Sequence, residues 1–215
     1  MNLDSLLSQV MQSSLGRKAF AAAGFAEATP LRRGETVPTG PLALGVVADG
    51  TVVAEALAAT AFVVEPALID LPEARIKDEK GREQPPLYAN KIGAVLVDAS
   101  RAATVEQLEQ VRAALRPAMR ALEPCGRVIL VGGDPATAPD VESAAVRQAL
   151  DGIMRSVGKE LRAGATSNLV QLADNTTPQQ LGEVLQFLLS GRSAYVNGQP
   201  LVLADLTTEP APSDR

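Results

Sequence analysis

The chain of 215 residues contains no histidine, no tryptophan and a single cysteine, Cys125. Without histidine, a serine or cysteine nucleophile has no imidazole base, and a zinc site built from several Cys and His residues is excluded. One cysteine also rules out an intrachain disulfide and fits a reducing compartment. These absences predict a cytoplasmic protein with no metal site.

The chain also has no excess of basic residues. The formal net charge is −5, and no basic face is visible that would neutralise phosphates, so we expect no nucleic acid partner. No apolar run approaches the roughly 18 residues that a membrane-spanning helix needs. The first residues carry no basic stretch ahead of an apolar one, which is not typical of a signal peptide. We expect no membrane partner.

Aromatic residues make up only 3% of the chain, so the core must consist mainly of Ala, Val and Leu. Such a core suits helices layered on a parallel sheet. Strand-like runs at residues 42–48, 62–69, 92–99, 127–132, 168–173 and 201–204 alternate with helical patterns at 51–59, 104–122, 140–163 and after Thr177. The alternation predicts an α/β fold with a doubly wound, mostly parallel sheet and helices on both faces.

The pattern divides the chain into three parts. Apolar residues recur at helical spacing between Leu3 and Met11, and a stretch rich in Pro and Gly follows, so residues 1–41 are predicted to be an N-terminal helical extension and connector. Residues 42–206 form the α/β domain, in which the polar stretch 70–91 is predicted to be a surface loop. Residues 207–215 are predicted to be a linker or a free tail.

Several stretches resemble landmarks of the short-chain dehydrogenase/reductase family, in the family's order. Residues 126–129 (GRVI) are similar to the start of the strand that bears the family's catalytic serine. Residues 149–152 (ALDG) and 159–161 (KEL) resemble its active-site helix, and residues 197–205 (NGQPLVLAD) resemble its closing segment. The resemblance covers roughly residues 42–205 and implies a Rossmann-like fold, with NAD(P)H as cofactor where the chemistry is retained.

The family's catalytic positions hold other residues here. The tyrosine that protonates the substrate oxygen corresponds to Ser143, the lysine that lowers its pKa corresponds to Arg147, and the preceding serine corresponds to Gly133. A serine hydroxyl is a far weaker acid than a phenol, whose pKa of about 10 can be tuned toward neutrality. Arg147 keeps the charge with a different reach and geometry. We therefore expect no catalytic residue at these positions.

The family's glycine-rich phosphate loop corresponds to residues 47–51, where it is shortened and keeps one useful glycine, Gly50. Glycines at this place let backbone N–H groups approach a pyrophosphate, and Asp49 would bring a negative charge close to it. The family's N-N-A-G segment corresponds to residues 97–100, where only Ala99 matches. We expect loss of dinucleotide binding and no bound cofactor. Asp49, Gly50 and Thr51 remain a candidate anion loop, and a tight turn with Thr51 as N-cap is the alternative.

The family has a further strand and helix where this chain has the polar residues 70–91. Without that outer strand, the predicted order is 2-1-3-4-5 with one strand appended, which is a flavodoxin-like order.

The stretch from Pro30 to Gly45 (PLRRGETVPTGPLALG) resembles the N-terminal half of the high-molecular-weight 3-oxoacyl-ACP reductases, in which a degenerate, cofactor-free domain precedes a working one. The first hypothesis is therefore a non-catalytic module of a 3-oxoacyl-ACP or acyl-CoA reductase system. The second is a divergent NAD(P)H-dependent reductase, or the N-terminal part of an active one. The third is a flavodoxin-like nucleotide or FMN binder, which the scarcity of aromatic residues disfavours.

The helices predicted at 104–122 and 140–163 correspond to the pair that builds the family's dimer interface. Most of the apolar stripe of the second helix must face the sheet. We expect Met154, with Ala149 and Ala145 beside it, to face another subunit, because small residues on an exposed helix face permit close approach. The expected partners are a second copy of the chain, a reductase domain or an acyl carrier protein.

Overall fold

The computed structural model describes residues 29–58, 60–68, 76–77, 79–84 and 87–203. The compact unit that carries the sheet begins at Leu31, so the connector residues 31–41 belong to the same unit as the strands. The predicted N-terminal helix and the tail at 207–215 lie outside the described residues.

Six parallel strands form the central sheet. Numbering every strand in chain order gives β1 (Leu42–Val46), β2 (Val64–Pro66), β3 (Ile76–Lys77), β4 (Glu83–Gln84), β5 (Ile92–Ala99), β6 (Leu122–Gly133), β7 (Thr166–Leu172) and β8 (Gln199–Leu203). The order across the sheet is β2-β1-β5-β6-β7-β8, and each neighbouring pair is parallel. This is the predicted order, because β3 and β4 form a separate antiparallel pair outside the sheet.

Helices cover both faces of this sheet. They are α1 (Val52–Leu57), α2 (Gln107–Ala121), α3 (Val141–Glu160) and α4 (Pro178–Leu189). One face buries α2 and α3 in a core that includes Val95, Val111 and Leu150. The other face buries α1 and α4 in a core that includes Leu96, Val53 and Leu185. The predicted doubly wound α/β architecture, with helices on both faces, is confirmed.

The strands at the centre of the sheet are buried on both faces. All eight residues of β5 are buried, which explains why this run is nearly continuous in apolar residues. All seven residues of β7 are buried as well, although Thr166, Ser167, Asn168 and Gln171 are polar. By contrast, β2 has only three residues, all exposed, and ends at Pro66. Proline has no N–H for a ladder bond, so the strand is shorter than the predicted 62–69.

Two other elements differ from the sequence prediction. Part of the predicted loop 70–91 contains the short pair β3 and β4. Helix α2 runs through Pro117, which is buried inside the helix. The strand that follows begins at Leu122, immediately after the helix, and is therefore longer than the predicted run at 127–132.

Arg127 is the largest side chain buried in the sheet, with 1% of its surface exposed. Its guanidinium donates to the carbonyls of Leu188 at 3.0 Å, Cys125 at 2.7 Å and Ser190 at 3.2 Å. Burial lowers the pKa of Arg127 to about 10, so the group stays charged at neutral pH. These hydrogen bonds join the amino end of β6 to the end of α4.

Replacing Arg127 with Met should lower the free energy of unfolding by about 3 kcal/mol, because Met retains the bulk but leaves several buried carbonyls without a donor. Urea unfolding followed by far-UV circular dichroism measures the change. The matched control is Arg101→Met, at an exposed arginine, which should change the stability by no more than about 0.5 kcal/mol. Equal effects of the two substitutions would show that the Arg127 hydrogen bonds contribute nothing.

Candidate functional site

The carboxyl ends of β1, β5 and β6 lie along one edge of the sheet, since all three strands are parallel. Open α/β sheets hold their ligands at this edge. The positions that the sequence singles out, at residues 47–51, 97–100 and 133, all follow or end these strands. A cofactor of this fold would therefore bind at the carboxyl ends of these strands.

The loop between β1 and α1 is a tight turn. Gly50 N–H donates to the carbonyl of Val47 at 3.2 Å, and Ala48 and Asp49 both adopt positive φ angles, of 52° and 54°. The side chain of Asp49 is exposed. Thr51 precedes the first residue of α1, but its side chain makes no capping hydrogen bond. A turn is observed, as the alternative expected, and Thr51 does not cap the helix through its hydroxyl.

The group that takes the place of a side-chain cap is the carboxylate of Asp98, at the end of β5. Asp98 is fully buried. One carboxylate oxygen accepts the backbone N–H of Val53, in the first turn of α1, at 3.0 Å. The other accepts the backbone N–H of Ser100 at 3.1 Å and its hydroxyl at 2.6 Å. Three donors and the positive end of a short helix thus compensate a buried negative charge.

The Asp98 carboxylate also lies directly against Gly50, the glycine of the loop. A Cβ atom added at Gly50 would lie 2.6 Å from a carboxylate oxygen of Asp98. Gly50 is therefore needed for close approach, but the anion that it approaches is a side chain of the same protein. The candidate anion loop at Asp49, Gly50 and Thr51 borders a position that an internal carboxylate already fills.

Ser143 lies in the first turn of α3 and is buried. Its N–H donates to one carboxylate oxygen of Asp140 at 2.8 Å, and its hydroxyl donates to the other at 2.9 Å. The hydrogen bonds from Ser143 hold the pKa of Asp140 below its usual value. Asp140 is the N-cap of α3, so Ser143 serves the start of the helix.

Arg147, one turn further along α3, covers the end of β6. A Cβ atom at Gly133 would lie 2.7 Å from the Cζ and Nε atoms of Arg147. The guanidinium therefore fills the space that a side chain at position 133 would need. Arg147 Nη1 donates to the carbonyl of Asp134 at 2.8 Å and lies 3.3 Å from the hydroxyl of Thr137. The arginine fastens the loop between β6 and α3.

The structure thus brings Gly133 and Arg147 into contact, whereas Ser143 is engaged with Asp140. Position 133 offers only backbone atoms. The Arg147 cation is bound to the loop after β6, and the Ser143 hydroxyl is bound to Asp140, the cap of α3. None of the three positions holds a phenol or another side chain that ordinarily serves as a general acid. Within the described residues, no three His, Cys, Asp or Glu side chains come together as metal ligands.

A second candidate site is the outer face of α2 and α3. A groove of about 980 Å³ runs between the two helices. Its apolar lining includes Leu108, Met119, Ile153 and Val157, and its rim includes Arg112 and Glu109, which form an ion pair. Ala149 lines the groove and is half-buried, while Ala145 is exposed.

Met154 was expected on this outer face, and that expectation is wrong. The side chain is fully buried in the core between α3 and the sheet. Met154 follows Leu150 by four residues and precedes Val157 by three, so it continues the sheet-facing stripe of the helix. Ala145 and Ala149 remain on the outward side.

Asp98 is the functional position that the sequence leaves unassigned. Its one signal is a carboxylate within an otherwise apolar buried strand, IGAVLVDA, because a buried charge needs donors nearby. The donor is in Val53, 45 positions earlier in the chain, and periodicity alone does not reveal such a pairing.

This arrangement, with its six parallel strands and two helical layers, is a Rossmann-like fold, and it is shared with solved structures. FabI from Alistipes finegoldii matches with a TM-score of 0.53 at 12% identity, over 79% of this chain and 91% of that chain. A double mutant of a short-chain dehydrogenase/reductase from Serratia marcescens matches with a TM-score of 0.55 at 15% identity, over 78% and 97% of the two chains.

A short chain dehydrogenase family protein from Francisella tularensis matches with a TM-score of 0.52 at 12% identity, over 76% and 96% of the two chains. The chain therefore has the fold of the short-chain dehydrogenase/reductases. No protein-family model and no curated protein matches the sequence. Among the described residues, no helix has the length and apolar character to cross a membrane.

Replacing Asp98 with Asn should lower the free energy of unfolding by about 2 kcal/mol, because an amide group turns an N–H toward donors that need an acceptor. Chemical denaturation measures the loss. The matched control is Asp49→Asn, which removes the same charge from an exposed turn and should change the stability by no more than about 0.5 kcal/mol. A neutral effect at position 98 would contradict the capping role.

Proposed function

We propose that this chain is a non-catalytic, reductase-like domain that serves as a structural or interaction module. Its place would be within or beside a 3-oxoacyl-ACP or acyl-CoA reductase in the cytoplasm. The observation that carries the proposal is the Asp98 carboxylate, which accepts the Val53 N–H at the start of α1. In a dinucleotide-binding sheet, a pyrophosphate takes the N–H groups at this place.

Electrostatics makes the two anions mutually exclusive. The Asp98 carboxylate is fully buried and directly beneath Gly50. A pyrophosphate placed on the same loop would meet this charge at short range in a medium of low dielectric constant, with the exposed charge of Asp49 nearby. Binding would require that Asp98 give up the N–H of Val53 first.

The proton-transfer positions support the same reading. Arg147 is bound to the Asp134 carbonyl and lies against Gly133, while the Ser143 hydroxyl is bound to Asp140. A substrate carbonyl at this edge would find no hydroxyl on residue 133 and no phenol on residue 143. The assignment to a 3-oxoacyl system rests on the resemblance of residues 30–45.

NADH and NADPH should not bind the isolated chain. The test is a titration at constant cofactor concentration that follows the fluorescence of the dihydronicotinamide, with an active short-chain dehydrogenase/reductase as positive control. We expect no saturable change, and no oxidation of NADPH in the presence of acetoacetyl-CoA. Micromolar binding or turnover would overturn the proposal in favour of a divergent reductase.

The interaction surface of this module would be the outer face of α2 and α3, with a second copy of the chain as its partner. The groove between these helices is lined by Leu108, Ile153 and Met119. At its edge, Gly152 is exposed, and a Cβ atom there would meet no atom of the same chain within 4 Å. Ala149 is its small neighbour, so the backbone of a partner helix can approach closely.

Gly152→Arg separates packing within the chain from packing between chains. Within the chain the substitution should raise stability by about 0.5–1 kcal/mol, because glycine is a poor helix former. In a dimer, the arginine would enter the interface and convert dimers to monomers. Sedimentation velocity measures the assembly state, and urea unfolding measures the stability.

The matched control is Gln179→Arg, which adds the same charge at an exposed position of α4, on the other face of the sheet. The control should leave the dimer intact. A monomeric wild-type chain, or a Gly152→Arg variant that still dimerises, would rule out this interface.

A further inference from the structure

A second cleft lies at the amino ends of the sheet strands, on the side opposite the carboxyl ends described above. It has a volume of about 950 Å³, which is in the range of small-molecule pockets. Its walls come from the residues ahead of β1, β2 and β5, namely Pro41, Val63 and Asn90, and from Gln186 near the end of α4. None of the positions discussed at the carboxyl edge contributes to it.

The walls of this amino-edge cleft are largely apolar and include two aromatic rings. Phe62 and Tyr88 are both half-buried and pack against the cores on opposite faces of the sheet. In a chain with only six Phe and Tyr residues, two of them lining one cleft is notable. Aromatic faces attract organic cations within about 6 Å of the ring centre.

The charged groups of the cleft are acidic. Among the described residues that line it, Glu35 and Glu65 are charged, and there is no lysine or arginine. Glu35 forms an exposed ion pair with Arg192 at 3.2 Å. Glu65 has no hydrogen bond or ion pair with any residue that the structure describes. Its carboxylate is therefore the available negative charge.

Basic residues near the cleft in sequence are engaged elsewhere. Arg33 donates to the hydroxyl of Tyr195 at 3.1 Å and does not line the cleft. Arg32 pairs with Glu123 at 2.8 Å, and Lys91 Nζ lies 3.3 Å from the carbonyl of Arg120. Neither lines the cleft. Among the described residues of the wall, no cation offsets the charge of Glu65.

Tyr88 adds a polar group of fixed direction. Its hydroxyl oxygen accepts the N–H of Leu68 at 2.9 Å, which leaves the hydroxyl proton for a further acceptor. Burial raises the pKa of the Tyr88 phenol, against the effect of the Leu68 hydrogen bond, and the negative charge of Glu65 raises it further. The phenol is therefore neutral at physiological pH.

From this geometry we propose that the amino-edge cleft binds an alkylammonium compound, with its apolar chain along Val63 and Pro41 and its cationic head near Glu65 and the rings of Phe62 and Tyr88. The chemistry selects a cation over a carboxylate, because an anionic head would face Glu65. It selects a compound with an apolar body, because the walls are mainly apolar. The proposal goes beyond the interaction module and does not depend on it.

The test uses hexyltrimethylammonium as the probe, with hexanoate and 1-hexanol as the anionic and neutral compounds of matched chain length. Isothermal titration of the full chain should give a Kd of about 1 mM or below for the cation. Binding of the alcohol should be weaker, and hexanoate should not bind. Equal binding of the three compounds, or no binding of the cation at about 10 mM, would overturn the proposal.

Two variants locate the binding. Glu65→Gln should weaken binding of the cation about threefold, since the carboxylate is exposed, and should leave binding of hexanol unchanged. Phe62→Leu keeps the apolar bulk and should weaken binding of the cation about threefold, because the aromatic face is lost.

The matched control is Glu55→Gln, which removes an exposed carboxylate from α1 outside the cleft. It should leave the affinity unchanged. If Glu55→Gln and Glu65→Gln weaken binding equally, the attraction is a property of the net charge of the protein and the cleft is not the site.

Discussion

The hydrogen bond from the Val53 N–H to the Asp98 carboxylate connects the first helix of the domain to its third sheet strand in chain order. A buried carboxylate is costly unless several donors surround it. Here the donors come from α1 and from Ser100, immediately after β5. The loop at residues 47–51 must therefore remain tight, with Gly50 against the carboxylate. The same contact that anchors α1 fills the place where this fold can hold a phosphate.

Other side chains at the carboxyl ends of the strands also make hydrogen bonds within the protein. Arg147 occupies the space above Gly133 and fastens the next loop, and Ser143 completes the cap of α3. Asp98, Ser143 and Arg147 thus all make hydrogen bonds within the protein. The carboxyl edge is thus stabilised by hydrogen bonds within the protein, and this supports the proposed role as an interaction module.

Much of the fold follows from the sequence because its strands are buried on both faces. The run at 92–99 is almost wholly apolar, and the order of the strands follows from the missing outer strand. Met154 was assigned to the wrong face because an apolar residue beside Ala149 looks equally suited to core or interface, and the i+4 spacing from Leu150 decides it. The capping role of Asp98 could not be predicted from the sequence, because it depends on which backbone N–H lies opposite the end of β5. Only the tertiary structure shows that this is the N–H of Val53.

The most direct test of the central claim observes the backbone N–H of Val53 itself. Two-dimensional ¹H–¹⁵N NMR of the full chain, recorded while NADPH is added, reports whether this amide exchanges Asp98 for a phosphate. The account predicts that the resonances of Val53, Gly50 and Ser100 do not shift. A saturable shift of these three resonances at micromolar NADPH would contradict it, because the dinucleotide would then have displaced the internal carboxylate.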